Sequence, residues 1–216
     1  MVHNLSEFNS LANAFLSELR DVNKQGDRLK FRKNLERLGN IFAYEISKTL
    51  EYHPEKVETP LGVADTQSIK NKVVLATILR AGLPLHQGLL NYFDNADNAF
   101  IAAYRKNHKD GTFEIYMEYV TCPPLDNVDL ILVDPMLATG ASIQKAVEAL
   151  KEYGNYRSLH IVTLIASSFG KKQIKRFFPK AHLWMAAEDD ELTAKSYIVP
   201  GLGDAGDLAY GSKLQE

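Results

Sequence analysis

Apolar residues at Leu5, Phe8, Leu11, Ala12, Phe15, Leu16 and Leu19 recur at spacings of three and four, which predicts an amphipathic helix over residues 5–20. A second stripe, Phe31, Leu35, Leu38, Ile41, Phe42 and Ile46, lies opposite a face of Lys, Arg and Glu and predicts another helix. Together they form an N-terminal helical segment over residues 1–50. His53-Pro54 and Thr59-Pro60 then punctuate a connecting stretch. Beyond it the period changes. VVLATIL (73–79) reads as a buried strand and LPLHQGLLNYF (83–93) as a helix. FIAAY (100–104) is a further strand, NHKDG (107–111) a turn, and FEIYMEYV (113–120) alternates as half of a hairpin, giving a flexible arm over 104–121. DLILV (129–133) is a strand and SIQKAVEALKEYG (142–154) a helix closed by Gly154. LHIVTLIA (159–166), GKKQIKRFFP (170–179, stopped by Pro179) and HLWMAAE (182–188) continue the rhythm as strand, helix and strand. Strands alternating with helices predict an α/β fold, a parallel sheet flanked by helices on both faces. From Tyr197 onward, Gly201, Gly203, Gly206 and Gly211 are too many for a regular element, leaving ligand contact or a tight turn as alternatives.

With 216 residues, 45% of them hydrophobic, the chain suits a single domain over 1–216. Lys and Arg number 25 against 27 Asp and Glu, so there is no positive field to hold nucleic acid or an anionic membrane. Any anionic ligand must be met locally. Cys122 is the only cysteine, and MVHNLSEFNSL lacks a basic region followed by an apolar run, which points to a reducing cytoplasm. The longest apolar stretches, 73–79 and 159–166, fall far short of the roughly 20 residues that span a bilayer.

The most informative segment is LILVDPMLATGASI (130–143). An apolar strand delivers Asp134 to the sheet's C-terminal edge, and ATGAS runs straight into a helix. Free N–H groups at that helix start, with the hydroxyls of Thr139 and Ser142, suit a phosphate, and Gly140 permits close approach. Asp134 would repel that phosphate but suits the hydroxyls of an adjoining sugar, so a phosphorylated ribose meets both demands. Spacing alone also fits a plain strand-to-helix turn with Ser142 as N-cap. VDPMLATGAS resembles the signature by which phosphoribosyltransferases bind phosphoribosyl pyrophosphate (PRPP), and its DPMLATG form is similar to the uracil-specific family. The resemblance implies a phosphoribosyltransferase-type sheet with N-terminal helices and a β-hairpin arm. It also implies PRPP contacts from Asp134, Pro135, Met136, Leu137, Ala138, Thr139, Gly140, Ala141 and Ser142. Ala141 stands where the family more often has a second glycine.

TILRAGLPL (77–85) sets Arg80, a planar multi-donor cation, at a strand end before the small residues Ala81 and Gly82. A solvated surface arginine is the alternative. LRAG resembles the family's pyrophosphate loop, and AAYRKN (102–107) the segment carrying its second PRPP-binding arginine, here Arg105. Pro84 and His86-Gln87 depart from the family's usual glycine and acid.

YIVPGLGDAGDLAYG (197–211) is similar to the family's closing motif and implies a uracil-binding loop over 196–211. Ile198, Gly203, Asp204 and Ala205 would surround the base, with Asp204 also near the ribose and Ser196 at a usual glycine position. Backbone N–H and C=O groups there can match uracil's O2, N3–H and O4, and a mispaired cytosine would lose roughly 10⁴-fold. The implied reaction is displacement of pyrophosphate by uracil N1. Mg²⁺ would be bound through PRPP rather than by protein ligands, with Arg80, Arg105, Asp134 and Asp204 as the catalytic groups. Either water or Asp204 would accept the proton. The family implies a homodimer or larger homo-oligomer. A catalytically silent paralogue and an enzyme for another base, such as a purine, are the competing readings.

Overall fold

The first apolar stripe folds as separate pieces in this computed structural model, which describes residues 1–107 and 113–213, with backbone alone at 104–107 and 113–115. Val2–Asn4 is strand β1, Leu5–Glu7 a 3-10 turn, and α1 runs over Leu11–Arg20. Ser10 starts that helix: its hydroxyl accepts the Ala12 N–H at 3.2 Å, while Asn13 Oδ1 accepts the Ser10 N–H at 2.8 Å. The predicted helix over 5–20 is thus shortened by its own capping box. Phe8 and Leu11 stay exposed, and Ala12, Leu16 and Leu19 are buried.

Helix α2 (Arg28–Ser47) buries Phe31, Leu35, Leu38, Phe42 and Ile46 as its stripe predicts, and Asp27 caps it by accepting the Lys30 N–H at 3.0 Å. The stretch read as a connector is instead an antiparallel hairpin, β2 (Tyr52–Thr59) with β3 (Gly62–Ile69). All of β2 is exposed, so it has no inward face to impose an alternating pattern. Next come β4 (Val73–Leu79), α3 (Leu83–Leu90), β5 (Asp97–Asn107), β6 (Phe113–Thr121) and β7 (Asp129–Val133). They are followed by β8 (Met136–Leu137), α4 (Ala141–Leu150), β9 (Ser158–Ser167), α5 (Ser168–Phe177) and β10 (His182–Asp189). The chain ends with β11 (Glu191–Leu192), β12 (Ile198–Val199) and α6 (Ala205–Tyr210). Helix α6 corrects the expectation of no regular element there: Asp204 caps it by accepting the Asp207 N–H at 3.0 Å, and Gly206 sits in its first turn.

The main sheet has the order β1-β10-β9-β7-β4-β5-β6, with β8 beside β9. Every pair is parallel except β5 with β6, so the predicted hairpin closes one edge; its turn at 108–112 lies outside the described residues. Alternate strand residues feed two cores. Leu75, Ile131 and Val162 pack against α1, α2, α3 and α6, while Ala76, Leu132 and Ile161 pack against α4 and α5.

At the β1 edge, the His3 ring stacks on Trp184 with centroids 3.8 Å apart, and His3 Nε2 lies 3.2 Å from His182 Nδ1. Trp184 Nε1–H donates to His160 Nδ1 at 3.2 Å. Burial holds all three histidines below the ordinary value of 6.5, His160 down to about 3. Between about 3 and 6.5 His160 therefore binds more protons in the unfolded chain than in the folded one, and its contribution to stability falls as pH drops through that window. Calorimetry is expected to show that His160→Gln loses less melting temperature than the parent, or gains more, on going from about pH 7 to about pH 5.

Candidate active site

Strands β4, β5, β7, β9 and β10 run parallel, so their C-terminal ends share one edge of the sheet, where open α/β folds bind ligands. Asp134 follows β7 directly. The next residues are held on β9: Pro135 O accepts the N–H groups of Leu164 and Ile165 at 2.9 and 3.2 Å, and Met136 and Leu137 pair with Ile165 and Ala166. Ser167 Oγ donates to Ala138 O at 2.5 Å and accepts the Gly170 N–H at 2.8 Å, supporting the loop from beneath. Gly140 has φ 82° and precedes α4, which no side chain caps. Ala141 and Ser142 lie inside the helix, so the plain N-cap reading of Ser142 is overturned. Ala141 is tolerated because the left-handed angle falls on Gly140. Thr139 Oγ1 accepts the Ala141 N–H at 3.4 Å.

Asp134 is poorly served by its own protein. Its carboxylate accepts one long hydrogen bond, from the Met136 N–H at 3.4 Å, and desolvation pushes it up to about 7. Such a carboxylate gains from any hydroxyl brought to it.

The Leu79–Arg80 peptide is cis, and the loop that follows it packs hard onto the sheet. A Cβ on Gly82 would lie 2.2 Å from Thr77 Oγ1, 2.8 Å from Ile78 O and 3.2 Å from Val133 O. Only glycine allows this approach, which sets the Arg80 loop beside the end of β7 and Asp134. Arg80 Nη2 donates to Asp207 Oδ1 at 3.1 Å and to Gly211 O at 3.3 Å. Lys213 Nζ lies 3.4 Å from Asp204 Oδ2 and 3.7 Å from Asp207 Oδ1. Burial would raise the Asp204 carboxyl, but the Asp207 N–H and Lys213 hold it below the usual range. Arginine loop and glycine-rich segment are thereby interlocked by four alternating charges.

Ile198 is buried in the β11–β12 pair, Ala205 is the buried first residue of α6, and Gly203 between them has φ 96°. The Val199–Pro200 peptide is cis. Ser196 has φ 61°, which accounts for a glycine preference at that position. Arg105 lies in β5 opposite Ile115, so its backbone leads into the same edge; its side chain is outside the described residues.

Three contributors were not foreseen. Arg32 Nη1 donates to Ala209 O at 2.7 Å and its guanidinium lies 5.9 Å from the Tyr210 ring centroid, anchoring the end of α6. Arg20 and Asp189 meet beneath the glycine-rich segment. Asp189 had a signal, since it ends an apolar strand as Asp134 nearly does; the arginines, on amphipathic helices, had none.

One edge thus gathers a helix-start loop, a hydroxyl-seeking carboxylate, a cation and a backbone-lined segment. Residues 8–212 match the family described as "Uracil phosphoribosyltransferase". The chain belongs to the uracil phosphoribosyltransferase family. The uracil phosphoribosyltransferase of Porphyromonas gingivalis is 50% identical over 214 residues, covering 99% of both chains. That of Pyrococcus furiosus is 40% identical over 203 residues, 93% of this chain and 86% of the other. The solved structure of the AQ2163 protein from Aquifex aeolicus superposes with a TM-score of 0.87 at 29% identity, covering 100% of both chains. The mostly parallel sheet, its flanking helices and the β5–β6 hairpin are those expected from the sequence.

Proposed function

We propose that this protein transfers the 5-phosphoribosyl group of PRPP to N1 of uracil, giving UMP and diphosphate in pyrimidine salvage. The observation that carries the reading is the convergence of Arg80, Asp134 and the Ile198–Ala205 backbone on one sheet edge within a chain of this family. We read residues 1–216 as one catalytic unit.

In this reading the loop from Pro135 to Ser142 holds the 5-phosphate, and Asp134 accepts the ribose hydroxyls. Arg80 leaves Asp207 for the pyrophosphate, with Arg105 as its second cation. Two cations facing a diphosphate stabilise the charge that develops as the bond to the anomeric carbon breaks. Ile198, Gly203, Asp204 and Ala205 orient uracil with N1 toward that carbon, so positioning carries much of the rate. Mg²⁺ would enter bound to the oxygens of PRPP, with Asp134 and Asp204 facing the ribose and the base rather than the ion. When bound, it supplies positive charge to the leaving group. Asp204, held ionised below the usual range, is a weak base, so the N1 proton goes to water as pyrophosphate departs.

Two further features support the setting. Val57, Leu61 and Val63 are exposed on the β2–β3 hairpin, a surface suited to a homodimer or larger homo-oligomer. Among the described residues no helix is long and apolar enough to cross a membrane, and the near-neutral charge and single cysteine suit a cytoplasmic enzyme without nucleic-acid partners. Incubation with uracil, PRPP and Mg²⁺ is expected to yield UMP and diphosphate in equal amounts. Consumption of PRPP without UMP would contradict the reading.

A further inference from the structure

The N-terminal helix reaches the proposed base pocket through one side chain. Arg20, in the last turn of α1, donates from Nη1 to Asp189 Oδ2 at 2.8 Å and from Nη2 to Asp189 Oδ1 at 2.8 Å. Nη1 also donates to Gly201 O at 2.9 Å, and Asp189 Oδ2 accepts the Gly201 N–H at 2.8 Å. Both polar backbone groups of Gly201 are therefore gripped by one ion pair. The side chains are little exposed, 23% for Arg20 and 6% for Asp189, so the pair works in poor solvent and in bidentate geometry.

Gly201 is where such a grip controls most. Its φ is 55°, and a Cβ there would stand 2.2 Å from Ile198 O, so the chain turns tightly back on the residue read as one wall of the base pocket. Three residues later Asp204 is fixed by its N-cap bond to the Asp207 N–H. Only Leu202 and Gly203 lie between the two pins, and Leu202 is buried in the core. The peptide groups offered to the base thus have their orientation set at both ends, one end by residues that do not belong to the loop.

We propose that Arg20 and Asp189 are positioning residues for uracil: their clamp on Gly201 fixes the recognising backbone, so that α1 sets uracil affinity without touching the base. This rests on the reading of 196–211 as the uracil loop. Hydrogen-bonding pockets discriminate through geometry, and loosening one pin should weaken uracil binding while leaving the PRPP loop, on β7 and α4, undisturbed.

The test compares steady-state kinetics of Arg20→Lys, the charge-balanced double variant Arg20→Met/Asp189→Asn, and Gly203→Ala as a direct change in the loop. The double variant avoids stranding a buried charge, and circular dichroism checks that each variant folds. The expected result is a uracil KM raised roughly tenfold or more in the double variant, less in Arg20→Lys, with the PRPP KM within about twofold. An unchanged uracil KM in the folded double variant, or equal rises for both substrates, overturns the clamp. If Gly203→Ala raises the uracil KM while the double variant does not, the clamp alone is wrong. If neither moves it, the uracil-loop reading falls as well.

Discussion

Replacing Asp134 by Asn is expected to lower kcat/KM for PRPP by roughly two to four orders of magnitude. The carboxylate stands at the end of β7 with one 3.4 Å hydrogen bond of its own, so its remaining accepting capacity is open to ribose hydroxyls. Each charge-assisted bond is worth about 1.5–3 kcal/mol, and losing two of them gives a change of this order. Asparagine keeps the shape but removes the charge and turns one acceptor into a donor. The same substitution should stabilise the free protein. Burial pushes the Asp134 carboxyl from 3.8 to about 7, so between those values the folded state holds a proton that the unfolded chain has released. The Asp134 contribution to stability therefore falls as pH rises through that window. Asp134→Asn should melt higher than the parent at about pH 8 and no higher at about pH 4. Binding of PRPP should in turn favour the ionised carboxylate, so parental kcat/KM rises through about pH 7 and the variant's profile is flat there. A variant that melts lower at pH 8, or keeps its parent's turnover, would remove Asp134 from the site.

The largest loss of stability is expected at Gly88. Helices α2 and α3 cross with their backbones in contact: a Cβ on Gly88 would lie 2.1 Å from Glu36 O, 2.7 Å from Gly39 Cα and 2.9 Å from Asn40 N. On the other side, a Cβ on Gly39 would meet Leu85 O at 2.3 Å. None of these neighbours is the free end of a side chain, so one methyl group must push two helices apart. Overpacking of this kind costs about 3 kcal/mol at the upper end of its usual range. Gly88→Ala should shift the urea midpoint downward with little change in slope. Because α3 begins three residues after Arg80, its displacement should carry the arginine loop with it and raise the PRPP KM in whatever fraction remains folded. A loss below about 1 kcal/mol would show that the helices can slide apart at little cost.

The sheet was legible where burial is two-sided. Strands β4 and β7 fill both cores, so their apolar runs at 73–79 and 129–133 match the observed limits, and the loops after them placed Arg80 and Asp134 correctly. Legibility failed where no inward face exists. Strand β2 is exposed along its length and carries Pro54, so periodicity had nothing to report there. Strand β1 is three residues long and takes its identity from pairing with β10. Helix α6 was hidden by counting glycines without asking which lie outside a helix: Gly203 and Gly211 flank it at positive φ, whereas Gly206 lies within it. The Arg80 and Asp134 loops were readable because a strand end followed by a loop is local in sequence. Arg20 and Arg32 were not, because their partners lie 169 and 177 residues away and only the folded chain brings them together.

The most direct test of the proposed activity offers the purified protein PRPP and Mg²⁺ with uracil, cytosine, hypoxanthine or orotate in parallel, and quantifies nucleotide and diphosphate. UMP from uracil alone, lost with Asp134→Asn, is the predicted result. Product from a different base, or from none, would contradict it.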